Sequence, residues 1–179
     1  MATQTLISIE EYLRTTSDPD CEYVRGVLEE RAVPERIHAA WQAALIDWFR
    51  AHRLVWDIHV YPELRVQISS EEFRIPDVTI LSRQSPDEQI ITHPPLAVFE
   101  ILSPTDTMSG ILEKLESYQQ MGIPAIWVID PSRYDASTNQ PARAASWQYS
   151  SGHLTPATVF ELPGTAFRVS IREIAALLD

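Results

Sequence analysis

Residues 96–130 read LAVFEILSPTDTMSGILEKLESYQQMGIPAIWVID, and this stretch decides the fold. An almost unbroken apolar run at 96–102 is typical of a strand that is covered on both faces. Apolar residues then recur at steps of three and four, which predicts a helix over 109–121 that Gly122 and Pro124 end. A second covered strand follows at 125–129. Strand, helix and strand with a short return predict a parallel crossover unit, which is right-handed in nearly all proteins.

The rest of the chain adds elements on both sides of this unit. CEYVRGVLEER predicts a pair of strands that turn at Gly26, or one bent strand, and the spacing of Ser8 and Glu11 predicts a capping box at the start of a helix. The clearest helical period lies behind Pro34, which can open a helix. The patterns predict helices at 8–15, 35–52 and 170–178, and strands at 54–60, 63–68, 75–81, 144–150 and 154–161. Together they predict one α/β domain over residues 1–179, a mixed central β-sheet flanked by helices on both faces.

Composition excludes several classes of protein. The 179 residues are 45% hydrophobic and 22% charged, which is ordinary for a globular chain and excludes disorder. No apolar run reaches the roughly 20 residues that a membrane helix needs, and the first residues lack the pattern of a signal peptide. The single cysteine, Cys21, cannot form an internal disulfide, which is typical of the reducing cytoplasm, where we expect this protein. A metal site would therefore use oxygen or imidazole ligands, which favours magnesium or manganese.

Three charged residues interrupt otherwise apolar patterns. Glu100 is the one polar residue in the strand-like run LAVFEIL, Lys114 falls inside the apolar arc of the next helix, and Asp77 follows Pro76 at the opening of a strand. Each has an alternative explanation. Glu100 could be salt-bridged at a strand end, Lys114 could extend its ammonium to water, and Asp77 could be a turn residue.

Taken together, the three residues indicate metal-dependent phosphodiester hydrolysis. Two carboxylates hold a divalent ion that polarises the phosphate and acidifies water. A lysine positions or deprotonates that water, or offsets charge on the phosphate. Because two like charges in one site disfavour double ionisation, at least one of Asp77 and Glu100 should have a raised pKa without metal. We also expect the Lys114 ammonium to point toward the carboxylates.

The ordered series resembles a known nuclease family. Pro76-Asp77 in RIPDVTIL, Glu100 in FEILSP and Lys114 before GIPAIWVIDP resemble the family named "putative restriction endonuclease", within the PD-(D/E)XK nuclease superfamily. The resemblance implies the restriction-endonuclease-like fold, with Asp77, Glu100 and Lys114 as catalytic residues and Asp77 and Glu100 as the ligands of Mg²⁺ or Mn²⁺. The lysine usually stands two residues after the second carboxylate, at the position of Leu102, so the resemblance implies that Lys114 has taken over its role from the helix.

Further residues are weaker candidates. The resemblance places Glu22 near the metal as an additional carboxylate and His38 as a group that faces phosphate or water. The alternatives are a solvated charge at a strand edge for Glu22 and a hydrogen-bonded boundary residue for His38. Weaker still are Ser103, Arg74 and Glu63, and Tyr118 is predicted to be a core residue.

The leading hypothesis is a magnesium-dependent endonuclease-like enzyme that cuts DNA. The net charge of −11 counts against it, because neutralisation of phosphates by basic residues supplies most non-specific affinity for DNA. Two alternatives tolerate the acidity better. One is a nuclease-fold oligomer that is catalytically weak or inactive and acts as an interaction module, and the other is a hydrolase of a small phosphoester.

We predict that the chain forms a two-fold homodimer. Five tryptophans, several in mixed polar and apolar segments, exceed what one small core needs, and aromatic residues are enriched in interface cores. Two-fold symmetry would place two active sites against two DNA strands. Light scattering at micromolar concentration should give the mass of a dimer, and the mass of a monomer would contradict the prediction.

Overall fold

The computed structural model describes residues 6–15, 20–135, 140–141, 146–162 and 164–178. Its helices are α1 (Ile9–Arg14), α2 (Arg36–His52), α3 (Met108–Met121) and α4 (Ile171–Ala175), with a 3₁₀ turn at Pro131–Arg133. Its strands are β1 (Cys21–Val24), β2 (Val27–Glu30), β3 (Ile58–Pro62), β4 (Val66–Ser69), β5 (Glu72–Arg74), β6 (Val78–Ser82), β7 (Ala97–Ile101), β8 (Ile126–Ile129), β9 (Tyr134–Asp135), β10 (Gln140–Pro141), β11 (Ser146–Ser150), β12 (His153–Pro156), β13 (Val159–Glu161) and β14 (Arg168–Ser170).

A six-stranded mixed sheet forms the centre, in the order β12-β11-β8-β7-β6-β3. Its β7 and β8 are parallel, and the other neighbours are antiparallel. Because α3 connects β7 to β8, the predicted strand–helix–strand unit is confirmed. Thr107 caps α3 by accepting a hydrogen bond from the Gly110 N–H, and Gly122 ends the helix in the left-handed conformation at φ 89°.

The central sheet is covered on both faces, as predicted. In β7 the odd-numbered residues belong to the core cluster that contains α2, whereas Val98 belongs to the cluster that contains Leu115 and Tyr118 of α3. Side chains of a strand alternate between the faces. Glu100 therefore lies on the same face as Val98, beneath α3, and this placement sets up the site.

A second sheet has four strands, in the order β2-β1-β5-β4. The β1–β2 hairpin turns at Arg25 and Gly26, both at positive φ, which confirms the predicted pair. The φ of 88° at Gly26 favours glycine there, and a Cβ would also come within 3.2 Å of the exposed Leu6 side chain. Strand β5 was not predicted, because its three residues are too few to show an alternating pattern.

Several predicted boundaries were wrong, for reasons that the backbone shows. The strand predicted at 54–60 begins only at Ile58, because Leu54 and Val55 lie exposed in a turn and Asp57 has φ 53°. The strand predicted at 63–68 begins at Val66, after Glu63 at φ 48°.

Other differences lie further along the chain. The strand predicted at 75–81 begins at Val78, because Pro76 has no N–H for the ladder. The segment 154–161 is split into β12 and β13, and β14 was not predicted. The predicted helix 170–178 is shorter, with Ser170 and Glu173 forming a capping box. Residues 144–145, predicted as the start of a strand, lie outside the described residues.

Within the described ranges no helix is both long enough and apolar enough to cross a membrane.

Candidate active site

One cavity of about 260 Å³ is lined by all five residues that the sequence singled out, namely Glu22, His38, Asp77, Glu100 and Lys114. They come from the second sheet, from α2, from neighbouring strands of the central sheet and from α3. The fold therefore brings together residues that are up to 92 positions apart in the chain.

The ladder between β6 and β7 brings Asp77 next to Glu100. Val78 pairs with Phe99 in this antiparallel ladder, so the same register continued by one residue sets Asp77 opposite Glu100. Residues directly opposite each other have Cβ atoms about 4.5–5.5 Å apart. The Ile101 N–H also donates to Oδ2 of Asp77 at 2.7 Å, which ties the aspartate to the end of β7.

Lys114 reaches the carboxylates from the helix. Its Nζ lies 3.0 Å from Oε2 of Glu100 and 2.9 Å from Oε1 of Glu22, and the side chain is 14% exposed. The ammonium therefore points into the cavity as predicted, and extension toward solvent is excluded. Lys114 thus contacts Glu100 from α3, whereas the usual position of the lysine, two residues after this carboxylate, is occupied by Leu102.

Glu22 is fixed by two further donors. The Ile75 N–H donates to its Oε1 at 2.8 Å, and Arg74 donates to its Oε2 at 3.0 Å. Burial opposes ionisation of Glu22, but the charges of Lys114 and Arg74 hold its pKa below the ordinary value. Glu22 is thus a buried carboxylate anchored between two cations rather than a solvated edge charge.

Asp77 has its own pair of basic partners. Arg31 donates to Oδ1 at 3.0 Å, and Nε2 of His38 lies 3.2 Å from Oδ2. Burial opposes ionisation of Asp77, but the hydrogen bond from His38 and the charge of Lys114 keep its pKa low. Burial likewise acts to lower the pKa of His38, yet the hydrogen bond and charge of Asp77 raise it above the ordinary value. The two groups stabilise each other's charged forms.

Glu100 behaves differently from the other two acids. Its complete burial raises its pKa to about 7, and the charges of Asp77 and Glu22 add to this, while Lys114 and a hydrogen bond from the Tyr118 hydroxyl oppose it. The expectation that one carboxyl group has a raised pKa is confirmed. Its main cause is loss of solvent, and repulsion between the acids comes second.

Two residues of the site were not found from the sequence. Tyr118 is a buried core residue as predicted, but its hydroxyl also donates to Oε1 of Glu100 at 2.6 Å. Its spacing of four from Lys114 puts both side chains on one helix face, which was the available signal. Arg31 is the last residue of CEYVRGVLEER, and a basic residue at the end of a predicted strand is ordinary, so nothing in the sequence marked it.

The three weakest candidates, Ser103, Arg74 and Glu63, make different contacts. Ser103 lines the cavity. Arg74 also lines the cavity, is 3% exposed and contacts Glu22, Glu29 and Glu72, so it joins β1, β2 and β5 within the second sheet. Oε1 of Glu63 lies 3.4 Å from Nη1 of Arg31.

The donor set is compatible with a hard divalent ion. In the described part of the chain no group of three or more His, Cys, Asp or Glu side chains is arranged to hold a metal. Magnesium commonly uses only one or two carboxylates, together with water and substrate phosphates. Oδ2 of Asp77 accepts from both His38 and the Ile101 N–H, whereas Oδ1 of Asp77 and both carboxylate oxygens of Glu100 each accept one hydrogen bond and keep a second lone pair. These two residues could therefore hold Mg²⁺ or Mn²⁺, with the other positions left to water and substrate.

Comparison with known proteins agrees with the geometry. Residues 9–169 match the family described as "putative restriction endonuclease", Uma2. The chain belongs to this family. A crystal structure of a putative nuclease belonging to DUF820 from Anabaena variabilis superposes with a TM-score of 0.76 at 18% identity, covering 97% of this chain and 99% of the other. The restriction-endonuclease-like fold inferred from the resemblance is thereby confirmed. No curated protein matches the sequence.

The raised pKa of Glu100 predicts how the stability of this Uma2 member depends on pH. Between the ordinary value of 4.5 and about 7, the folded protein holds a proton on Glu100 that the unfolded chain has lost. Stability contributed by this group is therefore present below pH 4.5 and is lost as the pH rises toward 7. In metal-free solution, Glu100→Gln should gain stability relative to the wild type across this window, by on the order of 3 kcal/mol.

Chemical denaturation at pH 4.5 to 8 measures this difference. The matched control is Glu161→Gln, which removes a carboxylate that is 51% exposed and should show no such trend. A difference between the wild type and Glu100→Gln that does not change with pH would contradict the prediction.

Proposed function

We propose that this family member is a metal-dependent, endonuclease-like phosphodiesterase that hydrolyses DNA, with Asp77 and Glu100 as ligands of Mg²⁺ or Mn²⁺. The observation that carries the proposal is the Lys114 ammonium 3.0 Å from Glu100, in the cavity that Asp77 also lines. Buried carboxylates and a buried lysine are costly to a fold that has no use for them. Membership of a family described as nucleases supports the same chemistry.

The chain's own residues then have distinct roles. A divalent ion bound by Asp77 and Glu100 would polarise the phosphate and increase the acidity of water. Burial acts to lower the pKa of Lys114, but Glu100 and Glu22 raise it above the ordinary value. Lys114 is therefore a permanent cation suited to stabilising negative charge on the phosphate, and it is poorly suited to be a base.

Glu22 and Tyr118 orient these groups. Glu22 contacts Lys114 at 2.9 Å, so the ammonium keeps a partner when Glu100 engages a metal. Tyr118 donates to the other oxygen of Glu100 and fixes the plane of that carboxyl group. Both act through their neighbours and need not touch the substrate.

DNA is the proposed substrate although the chain carries a net charge of −11. Lys114, Arg31 and His38 place cations in the wall of a cavity that is otherwise acidic, and bound metal ions would offset the excess of carboxylates. The five tryptophans lie in the core clusters or pack against them, so they do not support an interface; a two-fold dimer stays a prediction, and it would present two such cavities, one for each strand. The acidity favours a second candidate, a hydrolase of small phosphoesters, because such substrates do not need an extended basic surface.

Substitution of the three central residues should abolish cleavage. Asp77→Asn, Glu100→Gln and Lys114→Met should each lower magnesium-dependent activity by at least about 10²-fold, since each removes a group that acts on the reacting phosphate. Duplex, single-stranded and branched DNA serve as substrates, with bis(4-nitrophenyl) phosphate to detect the small-phosphoester alternative. Glu161→Gln is the control with unchanged activity. Cleavage of none of these substrates by the wild type would favour the interaction module.

Glu100→Gln separates a metal ligand from a structural ion pair. Because Lys114 retains Glu22, metal-free Glu100→Gln at pH 8 should be at least as stable as the wild type. Magnesium should raise the melting temperature of the wild type but not that of the variant. A structural pair predicts instead a loss of about 3–5 kcal/mol without metal and no magnesium response in either protein. Thermal melts of both proteins with and without magnesium make this comparison.

A further inference from the structure

Arg31 lies on the carboxylate that the proposed function assigns to the metal. Its Nη2 donates to Oδ1 of Asp77 at 3.0 Å, and its Nη1 lies 3.4 Å from Oε1 of Glu63. The side chain is 15% exposed and lines the same cavity as Lys114. Neither the sequence pattern nor the family match assigns this arginine a role.

We infer that Arg31 is an internal cation that holds Asp77 while the site is free of metal and moves onto the phosphodiester anion when a divalent ion binds. This inference rests on the proposed function, because it concerns the same Asp77. It adds an arginine that binds substrate and competes with the metal.

The charges of the site show why Asp77 needs a resident cation. Lys114 is shared by Glu22 and Glu100, so the ion pairs made directly by Asp77 are those with Arg31 and His38. Asp77 is 5% exposed, and a buried carboxylate without a cation is strongly destabilising. A divalent ion on Asp77 would replace this neutralisation and would also repel the guanidinium beside it.

Arg31 is attached in a way that permits the movement. It directly follows Glu30, the last residue of β2, and residues 32–35 are exposed and without regular secondary structure. Its second partner, Glu63, is 40% exposed and therefore binds weakly. Arg74 offers the contrast, because it lies within β5, is 3% exposed and contacts three glutamates. Rotation of the Arg31 side chain needs no change in any strand or helix.

The guanidinium is suited to a phosphodiester once it leaves Asp77. Its planar fork of N–H donors matches two phosphate oxygens, which the point charge of a lysine does not. Its position in the wall of the cavity keeps it close to Lys114 after it moves. In a chain of net charge −11, such local cations supply much of the attraction for the anion.

Arg31→Met in the full-length chain tests the inference through two affinities that should change in opposite directions. Without DNA, isothermal titration calorimetry should show Mg²⁺ binding about tenfold tighter than in the wild type, because a competing cation is gone. In magnesium, an oligonucleotide should bind about ten- to a hundredfold more weakly, because a charge-assisted contact is lost. Oligonucleotide binding is compared between Lys114→Met and the double variant that also carries Arg31→Met. Neither of these proteins should cleave the DNA during the measurement.

Further variants distinguish this role from a structural one. Arg31→Lys keeps the charge, so it should bind Mg²⁺ like the wild type and bind DNA with intermediate affinity. Arg168→Met removes an arginine that is 69% exposed and paired with Glu161, and it should change neither affinity. If Arg31→Met does not fold by circular dichroism, Arg31→Gln takes its place. An arginine that only supports Asp77 predicts unchanged or weaker Mg²⁺ binding, which would overturn the inference.

The inference and the proposed function fail in different ways. If the wild type binds Mg²⁺ and Asp77→Asn does not, while Arg31→Met shows no tightening, only the inference is wrong. If neither the wild type nor Arg31→Met binds Mg²⁺, the proposed function is wrong and the inference with it. If Arg31→Met binds Mg²⁺ and the wild type does not, the result supports both the inference and the proposed function.

Discussion

Burial of Glu100 against Lys114 is the interaction on which the rest of the site depends. Glu100 lies in a central strand beneath a helix and is 4% exposed, where an unpaired carboxylate would be strongly destabilising. Lys114 compensates for this from the helix, and Tyr118 occupies the second oxygen. Glu22 then joins the lysine from the other sheet. The second sheet is thus attached to the central one through charge, at the cavity that these residues line.

The central part of the site could be predicted from the sequence, because local sequence patterns mark it. Glu100 and Lys114 were visible as charges in apolar patterns, and the parallel crossover followed from strand, helix and strand. Arg31 and the short strands β5 and β14 were not visible. Three-residue strands have too few positions to show alternation, and an arginine after a strand is ordinary until the fold brings Asp77 to it, 46 residues away. Long-range ion pairs leave no periodic trace in a sequence.

The acids of the site divide into two kinds. Asp77 and Glu22 are kept ionised by their partners, whereas Glu100 has a pKa of about 7. Near neutral pH, Glu100 is therefore protonated in a sizeable fraction of molecules. A cation that binds there has to displace this proton, so its affinity should depend on pH more steeply than with two fully ionised ligands.

The register between β6 and β7 constrains how the length of this chain can vary. Asp77 meets Glu100 because the two strands pair from Val78 with Phe99 onward, and a slip of one residue would turn a phenylalanine toward α3. The connection 83–95 joins these strands and is held at Ile91 by a bridge to Val66. The chain can therefore tolerate insertions and deletions at 84–89. A single residue added within either strand would instead shift Asp77 away from Glu100. Relatives of this chain are expected to differ in the length of that connection and to keep the same register between the two strands.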